Sequence, residues 1–121
     1  MIDHMTLRVR DYEQSKAFYL AALLPLGYAM VMEFPSMAGL GVAGKPDLWL
    51  AAQEKPQSTM HLAFAAPNRA AVDAFYRAAL AAGGKDNGPA GLRADYHPAY
   101  YGAFVLDPDG HNIEACCHRP E

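Results

Sequence analysis

The 121-residue sequence has no apolar run approaching the roughly 18 residues that a membrane-spanning helix needs. Its start lacks a charged segment followed by an apolar stretch, so no secretory leader is expected. Basic residues are scarce, 10 Lys and Arg against 13 Asp and Glu, and the net charge is -3. No basic stripe exists to neutralise phosphates, which argues against a nucleic-acid partner. There are only two cysteines, Cys116 and Cys117, and they are adjacent. Neighbours in a strand rarely pair, so both are expected to be reduced, which favours a cytoplasmic location. Neither has a basic partner to lower its pKa and make it a nucleophile. The glycines around 39–44 do not form a phosphate-binding loop. What remains is 52% hydrophobic and 19% charged, as expected of a single domain with a real core.

The chain repeats itself. With an offset of 57 positions His4 falls on His61, Asp11 on Asn68, and Ala17-Phe18-Tyr19 on Ala74-Phe75-Tyr76. FYLAAL in the first half matches FYRAAL in the second, and Gly27 falls on Gly84. The halves read as two copies of one module, 1–57 and 58–121, within one domain.

Residues 2–9 alternate, with Met5, Leu7 and Val9 on one face and His4, Thr6 and Arg8 on the other, as in a half-buried strand. Asp11 is a suitable N-cap, and Gln14 follows at capping-box spacing. A helical stripe of Phe18, Tyr19, Ala22 and Leu23 ends at Pro25 and Gly27. Strand-like runs follow at 28–34, 37–43 and 47–52, separated by Pro35-Ser36 and Gly44-Lys45-Pro46.

The second module repeats this. It has a strand at 59–65, then a helix capped by Asn68 with the stripe Val72, Phe75, Tyr76, Ala79 and Leu80, stopped by Gly83-Gly84. Strands are expected near 92–95, 100–106 and 111–117, with Asp107-Pro108-Asp109-Gly110 as a turn. The fold class is therefore α+β: two βαβββ modules with pseudo-two-fold symmetry, helices covering the outer face.

The helices need the apolar faces of the strands, so the other faces look into whatever the sheets curve around. His4, His61 and Glu114 lie on those faces. Two imidazoles and a carboxylate form a facial triad that suits Zn, Ni, Fe or Mn and leaves positions open for substrate. The commoner role of any one of them is structural, a hydrogen-bonded histidine or a solvated strand glutamate; the repeat relation is what favours a metal. Thr6 and Arg8 share the face of His4, and Arg8 suits an anionic group. Trp49 suits a pocket wall. Arg93, Tyr96, His97, Tyr100 and Tyr101 form a cluster of polar-tipped side chains that either packs a loop or closes over a pocket. Within it His97 and Tyr100 are the acid/base candidates and Arg93 and Tyr101 candidate substrate contacts. His111 is expected at the surface, and His118, near the terminus, has no expected role.

IDHMTLRVRDYEQSKAFY, HLAFAA and FVLDPDGHNIEA together resemble the vicinal-oxygen-chelate superfamily over essentially the whole chain. It includes glyoxalase I, extradiol dioxygenases, methylmalonyl-CoA epimerase, fosfomycin-resistance thiol transferases and bleomycin-binding proteins. The resemblance implies paired modules forming an open curved mixed sheet around a pocket, with a divalent metal at His4, His61 and Glu114. Glyoxalase I and the epimerases take a fourth ligand from a position matched here near Trp49, which cannot ligate. Extradiol and fosfomycin-resistance enzymes use two His and one Glu. Extradiol enzymes are usually longer. The fosfomycin-resistance enzymes share the HxTL opening, DLW and DPDGH, but RADYHPAYYG stands where their potassium loop is expected. In such relatives the modules pair within a chain or across two chains, and a homodimer is expected. The implied function is lyase, isomerase, dioxygenase or thiol-transferase chemistry on a small oxygenated molecule. The alternative is a binding protein that holds an aromatic or cationic ligand against Trp49 without metal.

Overall fold

The alternation that opens the sequence becomes strand β1, Met5–Val9, in which Leu7 and Val9 are fully buried and Thr6 and Arg8 exposed. The computed structural model describes residues 1–55 and 57–121. Helix α1, Tyr12–Leu23, begins where Asp11 accepts the Gln14 amide at 3.0 Å. A short 3₁₀ turn, Leu24–Leu26, ends at Gly27, whose φ of 89° closes the helix in the left-handed conformation. Strands β2 (Ala29–Phe34), β3 (Met37–Val42) and β4 (Lys45–Ala52) complete the module. The turn between β3 and β4 is made by Ala43 and Gly44, both at positive φ. Lys45 and Pro46, expected in that turn, instead begin β4.

In the second module β5, His61–Ala65, precedes helix α2, Arg69–Ala81, capped by Asn68 accepting the Ala71 amide at 2.8 Å. Then come β6 (Lys85–Asp86), β7 (Gly91–Leu92), β8 (Tyr101–Leu106) and β9 (Asn112–Cys117). The strand expected near 92–95 shrinks to Gly91–Leu92. Arg93 donates its amide to the Tyr100 carbonyl, and the chain between them folds into turns through Tyr96, His97 and Tyr100 amide bonds. β6 was not expected; it pairs only two residues to β8 and is too short to show a period.

The expected α+β class and the βαβββ repeat are both seen. The sheet orders are β1-β4-β3-β2 and β5-β9-β8-β6, with β7 also on β8. In each, the first strand runs parallel to the last, and the registers correspond: Thr6 faces Trp49 as Ala63 faces Glu114. Among the described residues no strand of one sheet pairs with the other. The modules meet through their helices, α1 on α2, and one apolar cluster runs through both. Phe18, Tyr19, Ala22 and Leu23 are buried from α1, and Val72, Phe75 and Ala79 from α2.

The DPDG turn fastens the modules together. Asp107 accepts the amides of Asp109 and His111 at 2.9 and 2.8 Å and the buried hydroxyl of Tyr19. Asp109 accepts from the Arg10 amide and the Ser15 hydroxyl, at the start of α1. His111, expected at the surface, is 1% exposed. The turn carries it under the sheet, where its Nδ1 accepts the Met60 amide at 3.0 Å.

Close packing predicts one large effect here. A Cβ on Gly84 would stand 2.4 Å from Val105 and 2.8 Å from Phe18. Gly84→Ala should cost roughly 1–3 kcal/mol by forcing the core apart, measured as a lowered denaturation midpoint with an unchanged slope.

Candidate functional site

Period-two alternation sorts the second sheet. Ile113, Ala115 and Cys117 of β9 enter the core, so Asn112, Glu114 and Cys116 take the other face. Register then aligns Ala63 of β5, Glu114 of β9 and Phe104 of β8 across it. His61 stands one step along, opposite Asn112.

Glu114 is only 2% exposed, yet both its oxygens are engaged. Oε1 lies 2.8 Å from His61 Nε2, and Oε2 accepts the Tyr100 hydroxyl. Burying a carboxylate is costly unless its lone pairs are met by donors or cations. A proton on Nε2 satisfies this pair, and so does a cation held between the two atoms. Gly102 leaves the space: a Cβ there would lie 3.1 Å from the Tyr100 ring and 3.3 Å from Glu114 Oε2. Burial first, then the hydrogen bond to Glu114, holds the Tyr100 phenol well above its usual range, so it remains a donor. Burial likewise raises the Cys116 thiol, which removes it as a nucleophile. Both cysteines are free, as expected, and both are buried.

Beside His61 lies a pocket of about 380 Å³ lined by His61, Asn87, Gly88, Arg93, Tyr96, Phe104 and Asn112. A second cleft of about 420 Å³ lies between the modules, along β5 and the N-terminal residues Ile2 and Asp3. Its walls are mostly apolar and hold none of the His61–Glu114–Tyr100 set.

The other expected site residues fall in several places. His97 has its Nδ1 occupied by the Ala99 amide and meets the His118 ring edge-on, 5.9 Å between ring centres, so it stands one ring away from Tyr100. Tyr101 turns to the opposite face: its hydroxyl donates to Asp73 of α2 at 2.6 Å, and Arg69 lies over its ring. Adjacent strand residues point to opposite sides, so Tyr101, expected as a substrate contact, faces away from His61 and Glu114. Thr6 and Arg8 project from the open face of the first sheet. Trp49 shares that face, its indole covering Gly39, where a Cβ would meet Trp49 at 2.9 Å.

His4 is exposed, and its Nδ1 lies 2.8 Å from Asp3. Among the described residues no three His, Cys, Asp or Glu side chains are gathered to hold a metal ion. His61 and Glu114 come together, but His4 does not join them within one chain. The strand expected at 2–9 begins only at Met5, so His4 lies just before β1 in the other module, and the modules meet through helices rather than open faces.

The family described as the Glyoxalase/Bleomycin resistance protein/Dioxygenase superfamily matches residues 1–115. The chain belongs to this family. A glyoxalase/bleomycin resistance protein from Albidiferax ferrireducens is similar in structure, with TM-score 0.82, 30% identity and 98% of each chain covered. A glyoxalase/bleomycin resistance protein/dioxygenase family enzyme from Burkholderia phytofirmans has TM-score 0.75, 20% identity and 98% of each chain covered. A glyoxalase-related enzyme from Fulvimarina pelagi has TM-score 0.75 and 23% identity, over 97% of this chain and 87% of its own. These last two establish the shared fold. No curated protein matches.

In this glyoxalase-superfamily domain, sequence reasoning missed Phe104, Asn112 and His118 around the site. Asn112 and Phe104 were accessible in principle, since period two puts Asn112 on the face of Glu114 and the β8–β9 hairpin register then brings Phe104 opposite Glu114. His118 was not: its ring, 4.8 Å from that of Tyr100, arrives by the course of the chain after β9.

Proposed function

We propose that this protein is a metal-dependent member of the glyoxalase superfamily acting on a small oxygenated molecule, with the ion held by His61 and Glu114 and by His4 of a second copy. The observation that carries this is the pairing of a buried glutamate with a half-exposed histidine. Two donors bound at right angles at about 2.1 Å stand about 3 Å apart, close to the 2.8 Å between Nε2 and Oε1. Nitrogen and carboxylate donors suit Zn, Ni, Fe or Mn. A bound ion would supply Lewis-acid polarisation of substrate oxygens.

The protein's own part is to orient and to donate. Tyr100 fixes the Glu114 carboxylate, which sets the direction of the free lone pair on Oε1. His61 presents its ring to the pocket against Phe104, 6.1 Å between ring centres. The protonated Tyr100 phenol is the nearest proton donor to the carboxylate.

A homodimer supplies the third donor. The first sheet's open face carries Thr6, Trp49, Gly39 and Met32 in one cross-strand row and Arg8, Ala51, Met37 and Phe34 in the next. Met32, Met37 and Phe34 are 46%, 37% and 54% exposed. An apolar face of this kind marks an interaction surface. Set against the open second sheet of another copy, it brings His4 and Trp49 toward that copy's His61 and Glu114.

The test is elemental mass spectrometry on untagged protein after loading with each of the four ions. Near-stoichiometric uptake is expected in the wild type, with uptake abolished in His61→Ala and Glu114→Gln. Tyr100→Phe should weaken affinity about tenfold or more through loss of carboxylate orientation. Failure to take up any of the four would end this reading. The open face around half-buried Trp49 favours a second one, a metal-free protein that binds an aromatic or cationic ligand, and its signature would be ligand-dependent Trp49 fluorescence in His61→Ala.

A further inference from the structure

The pocket beside His61 is asymmetric. At one end stands His61, and behind it the buried carboxylate of Glu114, which is already committed to His61 and Tyr100. At the other stands Arg93, whose guanidinium lies over the Phe104 ring, 5.5 Å from its centre. Phe104 thus floors the space between imidazole and guanidinium. Asn87 and Asn112 line the same space and hold each other at 3.1 Å.

Arg93 is held in place without being neutralised. Its Nη2 donates to the Pro89 carbonyl at 2.6 Å, and its Nη1 makes a long 3.5 Å contact with the Leu92 carbonyl. Among the described residues no carboxylate forms an ion pair with it. Glycines frame the group: a Cβ on Gly88 would lie 3.3 Å from Nη2, and one on Gly91 3.2 Å from Nη1. Gly88 also has a φ of 145°, which favours glycine. The loop therefore brings its backbone against a guanidinium that needs no ion pair to stay ordered. A half-buried, preorganised arginine with unused N–H groups is the side chain best matched to an oxyanion, which it grips through two parallel hydrogen bonds.

We propose that Arg93 binds the anionic end of the substrate, so that the pocket takes a small molecule with a carboxylate or phosphonate at one end and its oxygenated reacting group toward His61 and Glu114. This rests on the function proposed above for the placing of the reacting end; the grip of Arg93 on an anion does not require it. Phe104 and Tyr96 give the pocket apolar sides, so a short apolar or planar body between the two ends fits it.

The experiment uses three probes of one shape: benzoate, phenylphosphonate and the neutral benzyl alcohol. Each is titrated into isotopically labelled wild-type protein while the arginine Nε–H resonances are followed by NMR. One or both anions should bind saturably and shift the resonance lost in Arg93→Gln, with benzyl alcohol at least about tenfold weaker. Tighter binding of benzoate would assign a carboxylate, of phenylphosphonate a phosphonate.

Arg93→Gln and Arg93→Lys should each weaken the anions about tenfold or more, because lysine keeps the charge but loses the paired geometry. Arg93→Lys also retains a donor for the Pro89 carbonyl, so it serves if Arg93→Gln loosens the loop. Equal binding of benzyl alcohol, or anion binding unaffected in both variants, would overturn the proposal. Metal uptake by the same proteins separates the two ideas. Anion binding without metal uptake would refute only the metal reading, and uptake without Arg93-dependent anion binding would refute only this one.

Discussion

Mixing His4→Ala subunits with His61→Ala subunits should restore metal binding that neither variant shows alone. The reason is geometric. His4, just before β1, and the His61–Glu114 pair belong to separate modules of one chain, and no group of three ligands forms within it among the described residues. If each site takes His4 from one copy and His61 with Glu114 from the other, a mixed dimer has one site missing both histidines and one site intact. Random reassortment makes about half the dimers mixed, so metal content should recover to about a quarter of the wild-type value. Elemental analysis after mild denaturation, mixing and refolding reads this directly. Sites within a single chain would give no recovery in any mixture. Full metal content in His4→Ala by itself would remove His4 from the ligand set and leave His61 and Glu114 with a different third donor.

The largest stability loss is expected at Asp107→Ala, roughly 3–5 kcal/mol. This carboxylate is 5% exposed and serves three donors, the amides of Asp109 and His111 and the Tyr19 hydroxyl. Removing it leaves all three unpaired where little water reaches, and it releases the turn that ties the second module to α1. Tyr19→Phe should cost less, about 1–2 kcal/mol, because the turn keeps its amide bonds.

The same pair predicts a pH dependence. Burial first, then the charge of Asp107, holds the Tyr19 phenol well above its ordinary pKa of 10.0. Above pH 10 the unfolded chain loses that proton while the folded chain keeps it. The stabilisation is therefore complete below pH 10 and is lost as pH rises beyond it, by up to about 1.4 kcal/mol per pH unit. Urea unfolding between pH 9 and 11 should show a shallower decline in Tyr19→Phe than in the wild type. Identical slopes would mean that the phenol ionises equally well in both states.

Much of this architecture is legible along the chain because it depends on local periods. Leu7 and Val9 alternate with Thr6 and Arg8, Asp11 and Asn68 cap the helices they precede, and the offset between His4 and His61 exposes the duplication. The match of Thr6–Trp49 with Ala63–Glu114 follows from the repeat and is seen in the strand registers. Local signals failed where short segments answer to distant ones. The residue types at 92–95 suggest a strand, but pairing with β8 ends after the Arg93 amide bonds the Tyr100 carbonyl, because the Tyr96 and His97 amides fold back on the Arg93 carbonyl and turn the chain. Composition groups Tyr101 with Tyr100 as polar-tipped rings, but neighbouring strand residues serve opposite faces, one Glu114 and the other Asp73. His111 follows a polar turn, and only the docking of that turn against α1 shows why it is buried.

Sequence by itself determined the family, the two modules and the buried faces of β1, β5 and β9, because these follow from periodicity, capping and internal repetition. Only the tertiary structure decided that His61 and Glu114 meet, that Tyr100 rather than Tyr101 joins them, and that His4 stays apart. Those outcomes depend on register between strands far apart in the chain and on how one module packs against the other. Neither leaves a local trace in the order of residues.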